Sequence, residues 1–151
     1  ESPWSKLIRR RIVCENHIQF DTTMVANDIM FSIRCAFAAH LVEASEEKIY
    51  CVTKQGGTLT TAVNVEKFYV RLQVFLDKYQ FLKSRLGKTE WKAVDLLGRP
   101  YIKLAHNYGL NKRQIINLYL YLIKSGVRID ISRKWSVAYI WKKMKKRLSN
   151  Q

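Results

Sequence analysis

Acid is almost missing from the last third of this chain. Residues 99–151 hold one carboxylate, Asp130, against 13 lysines and arginines, a net charge of +12, whereas residues 1–98 hold 11 acids against 14 cations, a net of +3. Proline is scarce as well: Pro3 and Pro100 are the only two among 151 residues. With no internal repeat and no low-complexity linker, nothing forces a boundary in mid-chain, and a single domain over 1–151 is expected. No run of about twenty apolar residues escapes interruption by charge, which excludes a helical membrane span on sequence grounds. No charged segment followed by an apolar one opens the chain, so a secretory leader is not expected either. The first residue is Glu1 rather than Met, as in a trimmed domain or a processed product. Cysteine is both few and odd in number: Cys14, Cys35 and Cys51 stand at irregular intervals, unlike a disulfide framework. Buried free thiols and an intracellular protein, nuclear if eukaryotic, are the expectation.

Catalytic patterns are missing too. There is no glycine-rich phosphate loop, no pair of carboxylates at helical spacing in the basic region, and no histidine-rich metal helix. Cys14, His17, Cys35 and His40 come nearest to a metal set. Yet Cys35 and His40 are five apart on an expected helix, about 140° around its axis, and do not converge on one ion. A protein without enzymatic activity, metal or cofactor is expected.

What is present is hydrophobic patterning sufficient for a core, 48% of residues, with cations concentrated in the last third. The expected fold is mainly α, a helical domain with a minor β-hairpin. The first twenty residues leave strand and helix open. Asp21 is expected to cap a core helix with Met24, Ile29, Ile33, Phe37 and Leu41 on its apolar face. The stretches 49–53 and 58–63, separated by Gln55, Gly56 and Gly57, suggest the hairpin. Asn64 then precedes a helix with Phe68, Leu72, Phe75, Leu76, Tyr79 and Leu82 on one side, closing near Gly87. Thr89 is expected to cap a short helix carrying Trp91, Val94 and Leu97. Gly98 and Pro100 separate this helix-and-hairpin part, 1–98, from a strongly basic helical part, 99–151.

In that basic part, residues 101–120 read YIKLAHNYGLNKRQIINLYL. A small residue, Ala105, lets two helices approach closely, and Gly109, four positions on, permits a tight turn. Leu104, Ile115 and Leu118 would fill the angle between the helices. Over these twenty residues the chain resembles the helix-turn-helix motif of DNA-binding regulators. The resemblance implies that the second helix enters the major groove and presents Asn111, Lys112, Arg113, Ile116, Asn117 and Leu120 to it. Base contacts are then expected from Asn111, Lys112, Arg113 and Asn117. The cations pair with guanine acceptors and the carboxamides with the adenine edge. Ile116 and Leu120 depart from a wet reading face, and the stretch 115–123 is apolar nearly all round. The alternative is a buried helical hairpin that touches no DNA.

Beyond Gly126, residues 127–131 alternate like a short strand that could serve as a wing. Ser132 can cap a last helix with Trp135, Ala138, Trp141, Met144 and Leu148 along one side. Its 133–147 stretch carries seven cations, more than complementing a helix dipole requires. Phosphate contacts are expected from Arg99, Lys103, Lys124 and Arg128, and from Arg133, Lys134, Lys142, Lys143, Lys145, Lys146 and Arg147. An acidic groove, an anionic membrane surface and a nuclear import signal compete for the last helix. The function expected is non-enzymatic DNA binding in transcription or replication control, with duplex DNA favoured over RNA. Aromatics in the basic third keep an RNA or single-strand binder in play. A protein-interaction module docking its basic helix on an acidic partner is the third possibility.

Overall fold

The described residues form six α-helices, from α1 (Arg10–Glu15) and α2 (Asp28–Ala38) through α3 (Val65–Lys83) and α4 (Lys88–Val94) to α5 (Arg99–Asn107) and α6 (Lys112–Lys124). A 3-10 turn at Pro3–Ser5 precedes them. The computed structural model describes residues 3–51, 64–94 and 96–129. Among these residues there is no strand, so the mainly α character stands. The hairpin expected for 49–53 and 58–63 lies outside the described residues except at 49–51. Those three residues are exposed and extend no sheet, and Tyr50 stacks on Trp4 with ring centroids 6.2 Å apart. The helix expected from Ser132 also lies outside the described residues. The chain divides into two units, Glu1–Ala93 and Val94–Gln151.

In the first unit α3 supplies the centre of the core. Asn64 caps it, its side-chain oxygen accepting from the Glu66 amide at 2.7 Å, which satisfies one of the orphan donors of the first turn. Phe68, Leu72, Phe75, Leu76, Tyr79 and Leu82 are all buried, as their spacing predicts. Val74 is buried as well, so the covered surface of α3 is wider than a single stripe. The helix ends at Lys83, short of Gly87. Gly87 instead opens α4, its amide donating to the Glu90 carboxylate at 2.7 Å, and Thr89 lies inside that helix. Trp91 on α4 meets Tyr79 edge to face at 4.9 Å.

Helix α2 corrects a second expectation. It starts at Asp28, not after Asp21, whose carboxylate takes the Arg34 guanidinium at 3.1 Å instead of capping a helix. Its buried residues are Met30, Phe31, Ser32 and Cys35, while Met24, Phe37 and Leu41 are exposed. The reason is that α2 is packed from two directions. Phe31 and Cys35 join Ile18, with Ile8, Ile12 and Val13 of the N-terminal segment packed against them. Phe20 lies flat on Phe31 at 4.0 Å. Towards α3, Phe37 meets Phe81 edge on at 5.4 Å. The N-terminal segment itself is helical at α1, which ends with His17 at φ 49. There the His17 amide reaches the Cys14 carbonyl and the Ile18 amide the Val13 carbonyl, the paired closure of a Schellman turn.

The second unit uses that closure twice. After α5, Gly109 at φ +75 donates to His106 O at 3.1 Å, and Leu110 donates to Ala105 O at 3.1 Å. After α6, Gly126 at φ +69 donates to Ile123 O at 2.9 Å, and Val127 donates to Leu122 O at 3.0 Å. Both glycines occupy the left-handed conformation that side-chain-bearing residues resist. In each closure the two residues that bracket the turn, Ala105 with Leu110 and Leu122 with Val127, are buried, and with Leu118 they make the core of α5 and α6. Of the strand expected at 127–131, residues 127–129 are not in strand conformation and 130–131 lie outside the described residues. Residues 127–129 return to the start of α5, where the Gly98 amide donates to Arg128 O at 2.9 Å.

Candidate nucleic-acid interface

Helix α6 is fixed at its start by a reciprocal cap. The Asn111 side-chain oxygen accepts from the Gln114 amide at 2.9 Å, and the Asn111 amide donates to the Gln114 side chain at 2.8 Å. This engages the one Asn111 atom that a bidentate adenine contact would need as acceptor. Gln114 is a residue that the motif reading overlooks, although an asparagine followed three positions later by glutamine signals such a cap.

From that anchored start the side chains partition by face. Leu118 and Leu122 are buried against α5, with Leu104 and Ile115 half-buried beside them. Lys112, Arg113, Ile116, Asn117 and Leu120 are exposed. At 100° per residue, positions 113, 116, 117 and 120 fall within about 100° of arc, centred opposite Leu118 and Leu122. The apolar run 115–123 is therefore not buried all round: Ile116 is 61% exposed, Leu120 53% and Ile123 52%.

No family model, curated protein or solved structure matches the chain significantly.

The second unit is strongly basic by sequence: residues 94–151 hold two acids, Asp95 and Asp130, against 13 cations. Six of those cations, Arg99, Lys103, Lys112, Arg113, Lys124 and Arg128, lie in the described stretch between the two acids. All six side chains are exposed. Arg99 and Lys103 lie one turn apart on α5, and Lys112 and Arg113 stand at the N-terminal end of α6 with Lys124 at its other end. Lys124 opposes the negative end of the helix dipole, but Lys112 and Arg113 sit at its positive end, where cations are unfavourable. Helix stability does not account for them. The remaining phosphate candidates, Arg133, Lys134, Lys142, Lys143, Lys145, Lys146 and Arg147, lie outside the described residues.

The first unit offers less chemistry. An open cleft of about 410 Å³ there is lined by Asp21, Met30, Arg34, Val70, Gln73 and Asp77 among others. Its carboxylates are occupied: Asp21 pairs with Arg34, and Asp77 accepts from Gln73 at 2.9 Å. Among the described residues no three His, Cys, Asp or Glu side chains come together as a metal site would require. All three thiols are free, but only Cys35 is buried, and that burial pushes its pKa up; Cys14 and Cys51 are exposed, contrary to expectation. Among the described residues no helix is long and apolar enough to cross a membrane.

Proposed function

We propose that this is a non-enzymatic duplex-DNA-binding protein, acting in transcription or replication control from an intracellular location. In this reading α5 and α6 form a helix-turn-helix unit, and α6 is the helix that enters the major groove. The observation that carries it is the exposed face of α6, where Arg113 and Asn117 point away from the core in a segment of 34 residues with six cations and no acid. A polyanion is the partner that such a surface attracts. Arg113 and Asn117 then read bases with Lys112 beside them, while Asn111 holds the helix end. Arg99, Lys103, Lys124 and Arg128 supply phosphate contacts, extended by the basic residues of 133–147.

The test is selection of bound sequences from a random duplex pool with the full chain. Enrichment of a motif supports direct readout; retention of duplex without a motif leaves attraction alone. One observation favours a second reading: Ile116, Leu120 and Ile123 together form an exposed apolar stripe, which also suits docking on an acidic protein. Competition between duplex DNA, single strands and an acidic protein for the same chain separates these readings.

A further inference from the structure

The polar members of the α6 face have obvious partners in a groove; its two aliphatic members do not, and of these Leu120 lies near the centre of the arc while Ile116 forms one edge of it. Leu120 lies between Arg113 and Ile116 in angle, and Ile116 is next to Asn117 in sequence. Neither is needed for the core, which is filled by Leu118 and Leu122. A large aliphatic side chain in water at the point of closest approach to a hydrated, charged groove would be a liability unless it met something apolar there. The major groove contains one apolar group, the 5-methyl of thymine.

We infer that Ile116 and Leu120 are specificity-determining residues that contact thymine methyl groups, and that the face formed with Arg113 and Asn117 selects a short site containing A·T pairs. The inference rests on the duplex-DNA reading above and deepens it. Asn117 matches the donor and acceptor edge of adenine, and the thymine paired with that adenine or next to it places a methyl within the same groove. Arg113, near the start of α6, matches guanine. Seven residues of helix separate Arg113 from Leu120, a rise of about 10 Å, which covers roughly three base-pair steps. The segment's charge, six cations with no acid over 96–129, draws the same duplex to the face.

The experiment uses the full chain and the duplex enriched from the random pool, compared with the same duplex carrying deoxyuridine in place of each thymine in turn. Deoxyuridine pairs as thymine does but lacks the methyl. Removing a methyl seated on Ile116 or Leu120 should weaken binding about fourfold at that position. Ile116→Ala or Leu120→Ala should bind the thymine duplex about as weakly and no longer distinguish it from its deoxyuridine counterpart. Because both residues are exposed, the variants should unfold at the wild-type temperature. Equal wild-type affinity for thymine and deoxyuridine duplexes, or an enriched motif made only of G·C pairs, would overturn the inference while leaving DNA binding intact. A lowered unfolding temperature in either alanine variant would overturn it too, because the residue would then be covered by protein. If the random pool yields no binding at all, the parent reading falls and this one with it.

Discussion

Gly109→Ala tests whether the turn between α5 and α6 is held by backbone conformation alone. Gly109 sits at φ +75, and a Cβ built there would meet no atom within 4 Å. Alanine therefore has room, and its cost is the left-handed conformation itself, about 1–2 kcal/mol. Part of this is offset by the smaller conformational freedom that alanine brings to the unfolded chain, about 0.4–1 kcal/mol. The net loss should be close to 1 kcal/mol, or roughly a fivefold increase in the open population of the unit. Amide exchange in the full chain reads this locally, at the Leu118, Leu122 and Val127 amides, while DNA affinity should stay near that of the wild type because the closed unit remains the dominant state. Gly109→Asn should recover most of the loss, because asparagine tolerates that conformation. Gly98→Ala provides the contrast. Its φ of −77 suits any residue, but the new Cβ would meet Val127 Cγ1 at 3.1 Å, Leu122 Cδ1 at 3.2 Å and Ile129 Cγ1 at 3.3 Å. Overpacking of this kind costs about 1–3 kcal/mol, and asparagine at Gly98 should be worse than alanine. Unchanged exchange in Gly109→Ala, or an asparagine variant as damaged as the alanine one, would refute the backbone explanation.

Asn117→Ala should cost about 1–3 kcal/mol on the enriched duplex and little on a scrambled one, whereas Arg113→Ala should weaken both; filter binding at one fixed salt concentration compares them. Asn111→Ala should destabilise α6 by about 1 kcal/mol through loss of its cap, seen as faster exchange in the first turn of the helix. Replacing Lys142, Lys143, Lys145 and Lys146 by Gln should weaken binding to every duplex alike and flatten the salt dependence of the affinity. With a thiol reagent, Cys14 and Cys51 should be modified quickly and Cys35 slowly, since Cys35 is both covered and held in its neutral form. The raised Cys35 pKa adds stability that is fully present below the ordinary thiol range and lost as pH rises towards the elevated value, so urea midpoints should fall in alkali, and Cys35→Ser should remove that part of the pH dependence.

Which elements could be foreseen depends on how many neighbours each one has. Helix α3 was legible because one broad face carries its large apolar residues at helical spacing. Helix α2 was not, because Phe31 and Cys35 answer to the N-terminal segment and Phe37 to α3; a single period averages over two faces. Gly109 was recognisable from its place between two amphipathic stretches. Gly98 reads in the sequence as a helix breaker, but the structure shows a close-approach site whose three crowding side chains lie 24 to 31 residues later. In α6 the composition of 115–123 suggested uniform burial. Separating Leu118 and Leu122 from Ile116, Leu120 and Ile123 required knowing which side α5 covers. The cationic residues were visible as charge, but Gln114 acquires its part only from the cap it closes with Asn111.

The hydrogen bond between Gly98 and Arg128 gives the α5 and α6 segment a property of a different kind. Its two ends leave at almost the same place, 2.9 Å apart from donor to acceptor. A segment whose ends meet asks only for two adjacent attachment points in whatever is joined to it. It can be lengthened into, replaced or transferred at that junction without stretching the chain on either side, as insertions are accepted where chain ends lie close together. Residues 98–128 are thus a natural unit for grafting. Joined through short flexible arms to two neighbouring positions of an unrelated scaffold, they would carry their own turn, caps and exposed face with them.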